Sequence, residues 1–351
     1  MRIIVLPLYG IGDALMTTPA LRNIKEHPGA YITYLHMFRS TYEIMGNNPN
    51  IDENIHFPFL EKSRLEGLRF LLGFRGKFDV SINFYPSNRK DYNMASFIIG
   101  CKTRIGHRYR IHDLRELNFL KNKTLMEDDS LHCVEENLRL LDFLGIGEKK
   151  PYTMEIHLTK DEKDFASGWL NEKDIDTGLI IGMHPGTSVF KGHDMRRWPL
   201  ERFSAFINGV HEKHRNAAFV LFGGPEEKPL REKIISMVVE KGGIYSADAF
   251  GIRQSAALIE RCRLFVTNDS GLLHVAAALN VPTVAVFGPT NPAWVRPWGQ
   301  GHRVISLSPP LKCSPCFRYS PLPLRCYSKS NFACLRDIEE KDVIEAVESL
   351  I

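Results

Sequence analysis

The chain has 351 residues, 44% hydrophobic and 25% charged, which fits about two globular domains and excludes disordered and fibrous classes. Its formal net charge of +4 conceals an asymmetry: Lys62 to Lys123 holds 14 Lys or Arg and 5 Asp or Glu, a local +9 that leaves −5 for the rest. Such a block points to an anionic partner on one face, the lack of a long apolar run excludes a transmembrane helix, and an odd count of 7 cysteines argues against an exported disulfide scaffold.

In chain order, the opening MRIIVLPLYGIGDAL reads as a buried strand, Arg2 to Pro7, entering a glycine turn. It does not read as a signal peptide, so the expected compartment is the cytoplasm. A helix from Asp13 to about Glu26 follows, then strands at Tyr31 to Met37 and Asp79 to Tyr85, and a helix at His132 to Leu144. Gly145 to Pro151 breaks the composition and reads as a linker. The alternation then restarts with strand Gly178 to Met183, helix Leu200 to Glu212, strand Ala217 to Phe222, helix Arg253 to Cys262, strand Leu264 to Thr267, helix Gly271 to Leu279 and strand Thr283 to Phe287. The expected fold class is α/β, with two Rossmann-like domains over residues 1–150 and 151–338. Ligands bind such sheets beyond the carboxyl ends of the strands, so two facing domains place the site in a cleft. The closing segment 339–351, with helix Glu339 to Leu350, is expected to pack back on the first domain.

Gly10-Ile11-Gly12-Asp13 opens the first helix. The dinucleotide fingerprint G-x-G-x-x-G fails, because Leu15 stands at the third glycine position and no acidic residue lies near position 33. A glycine loop remains, open to close approach by another molecule. Asp13 then has two readings. It caps the helix, or it is a general base kept ionised by the helix N-terminus, effective when an attacking hydroxyl gains acidity as its new bond forms.

Three segments of the second half sit at strand ends: His184-Pro185-Gly186-Thr187-Ser188, Arg196-Arg197-Trp198-Pro199, and Asn268-Asp269-Ser270-Gly271-Leu272-Leu273-His274 followed by Phe287-Gly288-Pro289-Thr290. Small hydroxylated residues and glycines at such turns expose N–H groups to phosphate oxygens, and Arg196 or Arg197 supplies a cation for a diphosphate. Each segment alone is an ordinary capping turn; together they point to one site.

These segments resemble glycosyltransferase family 9, the heptosyltransferases, along nearly the whole chain. The resemblance rests on GIGDALMTTPALRNIKEHPGAYITY, on HPGTS with RRWPLERF, and on TNDSGLLHVAAALNVPTVAVFGPTNP. It implies a GT-B fold with two Rossmann-like domains facing across a cleft, the first holding the acceptor and the second the nucleotide-sugar. It also implies inverting transfer of heptose from ADP-heptose to the lipopolysaccharide inner core, with no catalytic metal. Carried over by position, Asp13 matches the family's general base, with Gly10 and Gly12 in the acceptor loop. Gly186, Thr187 and Ser188 match donor-phosphate contacts, and Asp269, Ser270, Gly271 and His274 match the turn that cradles diphosphate and sugar. Arg196 stands where the family commonly has Lys, so charge is kept but a planar fork replaces an ammonium. Both Glu226 and Glu227 qualify as the acidic nucleoside contact after the FGG turn. A related transferase with another donor or acceptor, or a silent sugar-nucleotide- or glycolipid-binding protein, are the competing readings.

In the basic block, Arg104, Arg108 and Arg110 are the expected contacts to an anionic glycolipid acceptor at the inner face of the cytoplasmic membrane; a solvated basic face is the alternative, and no nucleic-acid motif accompanies the charge. Asp174-Ile175-Asp176 forms a D-x-D triplet at the wrong end of strand Gly178 to Met183 and reads as a solvated turn. Cys313, Cys316, Cys326 and Cys334 are candidates for structural zinc, or reduced structural thiols, while Cys101, Cys133 and Cys262 read as core.

Overall fold

The computed structural model describes residues 1–6, 10–176, 178–248, 250–317, 323–326, 328 and 331–351, leaving out the side chains of Phe190 and Lys191. It divides into two units, residues 1–157 and the described residues from Leu158 onward. Among the described residues each unit carries one six-stranded sheet, parallel throughout. The first contains β1 (Arg2–Val5), β2 (Tyr31–His36), β3 (Glu53–His56), β4 (Val80–Asn83), β5 (Thr103–Arg108) and β6 (Lys123–Met126), in the order 3-2-1-4-5-6. The second contains β7 (Ile180–His184), β8 (Ala218–Leu221), β9 (Ile244–Ser246), β10 (Leu264–Asn268), β11 (Thr283–Phe287) and β12 (Arg303–Ser306), in the order 12-11-10-7-8-9. Read from its other edge, that is the same doubly wound order, so both expected Rossmann-like sheets are present.

The apolar runs legible in the sequence are the central strands. Helices cover both faces of a parallel sheet, so such strands lack the alternation of half-exposed ones; Ile3, Ile4 and Val5 are fully buried, as are Leu264, Phe265 and Val266. Edge strands β3, β6 and β12 are partly exposed and mixed in composition, which is why no apolar run marks them. The expected helix from Asp13 is two pieces, Ile11–Leu15 and Thr18–Lys25. At the break, Thr17 and Thr18 donate their hydroxyls to the Ala14 and Leu15 carbonyls at 2.7 and 2.8 Å, and Pro19 has no N–H to continue the ladder.

The first unit runs past the expected boundary at residue 150. Lys150 exchanges backbone bonds with the Asn23 side chain, Met154 is buried, and the Glu155 N–H donates to Thr18 Oγ1 at 3.1 Å. The final helix, Glu340–Glu348, departs from expectation more strongly. It belongs to the second unit, where Val343 and Val347 are fully buried in one core with Phe206, Ile207 and Val210. Trp198 donates its indole N–H to the Ile338 carbonyl at 3.0 Å, and Arg202 pairs with Glu340. The apolar stripe of this helix completes the face left open by helix Leu200–Lys213.

Candidate active site

In the second unit, the ends of β7, β8 and β10 bring the three motif segments together. Asn268, the last residue of β10, positions the other two loops. Its Nδ2 donates to the Pro185 carbonyl at 2.7 Å, and its Oδ1 accepts from the Trp198 N–H at 2.8 Å. Trp198 is fully buried.

Around this frame lies a buried polar cluster. His184 sits between Ser270 and Glu227, with Nδ1 2.9 Å from Ser270 Oγ and Nε2 3.0 Å from Glu227 Oε2. Glu227 Oε2 also accepts the Gly224 N–H at 3.0 Å. Burial alone would raise the Glu227 carboxyl, but the His184 bond and charge, the Gly224 N–H and the Arg197 charge together hold it below its ordinary value. Of the two glutamates the sequence offered, the structure gathers Glu227 into the cluster and leaves Glu226 exposed.

Asp269 and Arg196 form a second pair, Oδ2 to Nη1 at 2.6 Å, with both side chains largely buried. Arg197 donates from Nη2 to the Thr187 carbonyl at 2.8 Å, and Thr187 Oγ1 donates to the His193 carbonyl at 2.9 Å. Ser188 is exposed, Ser270 takes the N-cap position of helix Gly271–Ala278, and half-buried Gly271 is that helix's first residue. His274 is buried and its imidazole is pushed down to about 4, chiefly by desolvation. Four buried polar atoms here have no hydrogen-bond partner among the described residues: Arg196 Nε, Arg197 Nε, His274 Nδ1 and Thr290 Oγ1. His184 and Thr290 lie in motifs the sequence singles out, but neither stands out there as a site residue. Nothing local in the sequence marks the tie of His184 to Glu227, 43 residues away.

In the first unit, Gly10 precedes helix Ile11–Leu15, Gly12 is buried, and Asp13 lies half-buried in the first turn. The Asp13 carboxylate acts on two buried phenols. Burial chiefly raises both, Tyr92 to about 12, and the Asp13 charge adds to each. Part of the basic block is spent on internal bonds. Arg104 donates to the Leu120 and Cys101 carbonyls at 2.7 and 2.8 Å, and Arg108 pairs with Asp113. Arg110 is exposed, with Asp129 3.5 Å away. Three other cations, Arg89, Lys90 and Arg115, line a cavity of about 150 Å³ with Asp91 and Glu116.

Asp174 and Asp176 are exposed ahead of β7, as a solvated turn requires. The structure does not show the structural zinc expected at the tail. Among the described residues no group of three or more His, Cys, Asp or Glu is placed to hold a metal ion. Cys313 and Cys316 are exposed and Cys334 is buried, and burial together with the neighbouring thiols of Cys316, Cys313 and Cys326 pushes the Cys334 thiol up to about 11. Cys101, Cys133 and Cys262 are buried free thiols. No helix among the described residues is long and apolar enough to cross a membrane.

Comparison with known proteins agrees with this geometry. The family model for glycosyltransferase family 9 (heptosyltransferase) matches residues 92–324. A lipooligosaccharide heptosyltransferase 2 of Campylobacter jejuni is 26% identical over 97% of this chain and 96% of its own length. A lipopolysaccharide heptosyltransferase 3 of Escherichia coli is 25% identical over 97% and 96%. The crystal structure of a family 9 glycosyl transferase from Veillonella parvula matches with TM-score 0.79 at 25% identity, covering 99% of this chain and 96% of that one. An ADP-heptose lipopolysaccharide heptosyltransferase II structure from E. coli matches with TM-score 0.74 at 21% identity, covering 100% and 98%, which supports the GT-B fold. The chain therefore belongs to glycosyltransferase family 9, the heptosyltransferase family, and is a glycosyltransferase.

Proposed function

We propose that this enzyme is an inverting heptosyltransferase that moves heptose from ADP-heptose to the lipopolysaccharide inner core, with no metal taking part. The observation that carries the donor assignment is the set of unpartnered buried polar atoms on Arg196, Arg197, His274 and Thr290. Each costs about 1–3 kcal/mol when left unsatisfied, and the phosphate and sugar oxygens of a nucleotide-sugar would offset that cost. Gly186, Thr187, Ser188, Asp269, Ser270 and Gly271 complete the donor set, and Glu227 replaces Glu226 in it.

In the reaction, the acceptor hydroxyl passes its proton to Asp13 as its oxygen attacks the anomeric carbon. The bond from that carbon to the diphosphate oxygen breaks on the opposite face, and ADP leaves with its charge met by Arg196 and turn N–H groups. Preorganised stabilisation of this kind is worth about 3–4 kcal/mol per donor. Gly10 and Gly12 shape the acceptor loop. Arg110 remains an acceptor contact, and the Arg89, Lys90 and Arg115 cavity adds cations for an anionic acceptor. The protein works at the cytoplasmic face of the membrane as a peripheral enzyme.

The test is a thermal-shift screen with ADP-, UDP-, GDP- and CDP-sugars, where stabilisation grows with concentration over Kd. A selective ADP-sugar response is expected; a UDP-selective one overturns the donor assignment. Absence of turnover with any donor and acceptor leaves a binding protein instead of an enzyme.

A further inference from the structure

The basic block has a second feature besides its charge. Most of the large apolar side chains exposed among the described residues lie between Leu60 and Met126. Single exposed apolar residues are normal on a surface, but a contiguous group of them marks an interaction site. In helix Arg64–Leu72, Leu65, Leu68 and Leu72 are spaced three and four apart and share one face, with exposures of 55%, 40% and 42%. Arg69, four residues after Leu65, joins them, while Gly67 and Leu71 are buried on the other side. Helix Lys90–Ile99 packs beside this one and shows Met94 and Phe97 to solvent. Arg75, just past the first helix, has its Cγ 3.6 Å from where a β-carbon on Gly100 would sit, at the end of the second. The patch continues through Arg104, whose guanidinium lies 5.6 Å from the Phe97 ring centroid and bonds to the Leu120 carbonyl, beside exposed Phe119.

The acidic groups of this block are mostly tied to the protein itself. Glu66 accepts the Ser63 N–H at 3.0 Å, Asp79 the Arg2 N–H at 2.8 Å and Glu116 the Lys90 N–H at 2.9 Å, and Asp113 is paired with Arg108. Arg64, Arg69 and Arg75 are exposed and have no ion-pair partner among the described residues. We propose that the face made by helices Arg64–Leu72 and Lys90–Ile99 docks on an anionic lipid bilayer, with Leu65, Leu68, Leu72 and Phe97 entering the acyl boundary and Arg64, Arg69 and Arg75 meeting lipid phosphates. This rests on the reading of the protein as a peripheral membrane enzyme, and gives that reading its surface.

Charge complementarity selects the bilayer. A second copy of the chain would bring two cationic faces together and leave the arginines without counter-charge. An anionic bilayer supplies both partners that the face calls for, acyl chains for the leucines and phosphates for the guanidinium groups, whose apolar stems span the headgroup layer. The placement also suits a glycolipid acceptor. On the inner side of helix Lys90–Ile99, buried Tyr92 feels the Asp13 charge, and Lys90 at its start lines the cavity with Arg89 and Arg115. One helix therefore meets lipid on its outer side and borders the acceptor loop on its inner side, so the acceptor reaches Asp13 without leaving its membrane.

The test is co-sedimentation of the whole chain with vesicles of phosphatidylcholine alone and of phosphatidylcholine with about a third phosphatidylglycerol. Wild type is compared with the double variants Leu68→Ser/Leu72→Ser and Arg69→Glu/Arg75→Glu. Wild type is expected to bind the anionic vesicles about tenfold or more tightly than the neutral ones, with the difference shrinking as salt rises. Each double variant is expected to bind the anionic vesicles about tenfold or more weakly than wild type, with its thermal stabilisation by ADP unchanged. Vesicle binding by both variants at the wild-type level overturns this face and leaves the peripheral reading intact. Wild type that binds neither vesicle overturns both. A dimer in sedimentation velocity that Leu68→Ser/Leu72→Ser abolishes assigns the face to a second copy and overturns the lipid assignment. If the leucine variant does not fold, Arg69→Glu/Arg75→Glu, altered only at exposed side chains, decides: retained vesicle binding overturns the face.

Discussion

Gly186 and Glu227 occupy adjoining space so closely that a β-carbon on Gly186 would lie 1.8 Å from Glu227 Oε1. The glycine of the HPGT turn is therefore required by a carboxylate 41 positions on, which in turn holds His184. Gly186→Ala must push Glu227 out of its cradle and break the pair. Overpacking of this kind costs about 1–3 kcal/mol. Urea denaturation should show a loss of that size, with weakened ADP binding; wild-type values for both would contradict the geometry.

Asp13 is proposed to act only in the chemical step. Asp13→Asn should lower kcat by about a hundredfold or more, with donor affinity, set by the other unit, unchanged. Steady-state kinetics with saturating donor separate the two. A near-normal kcat removes Asp13 from the role of base.

The Arg196–Asp269 pair is largely buried, so removing one partner strands the other. Asp269→Ala should destabilise the protein by about 3 kcal/mol, read from chemical denaturation, and weaken ADP binding as well. An unchanged midpoint would mean the pair is solvated in solution.

Lys121 is a buried amine whose Nζ donates to Asn118 Oδ1 at 2.6 Å, and burial pushes it down to about 7. Its folded value lies below the unfolded one, so the unfolded chain binds the proton more tightly and stability rises with pH between the two values. Lys121→Met should therefore stabilise the protein most below about pH 7, with the gain fading toward about pH 10. Asn118 Oδ1 keeps a partner in Asn93. Thermal melts across this range check the sign; a gain that grows with pH refutes it.

Val343 and Val347 of the last helix are fully buried in the second unit. Val343→Ala should cost about 2 kcal/mol, measured by urea denaturation. A loss near zero would mean that the helix is not docked where the structure has it.

Much of this protein is determined by sequence alone. Apolar runs doubly covered by helices mark the central strands, glycine and hydroxyl turns mark their carboxyl ends, and these depend only on residues near one another. Asp13, the HPGT turn and the NDSG turn are legible for that reason, and so is the Rossmann character of both halves. What only the tertiary structure decided depends on strand order. The order 12-11-10-7-8-9 sets β7 beside both β8 and β10, which is why His184 meets Ser270, 86 residues away, and Glu227, 43 away. The same long-range packing buried Glu227 against His184 and left Glu226 exposed, spent Arg104 and Arg108 on internal partners, and drew the last helix into the second unit. Local periodicity assigns a residue to a face; the partner across that face is set by which distant strand lies next to it.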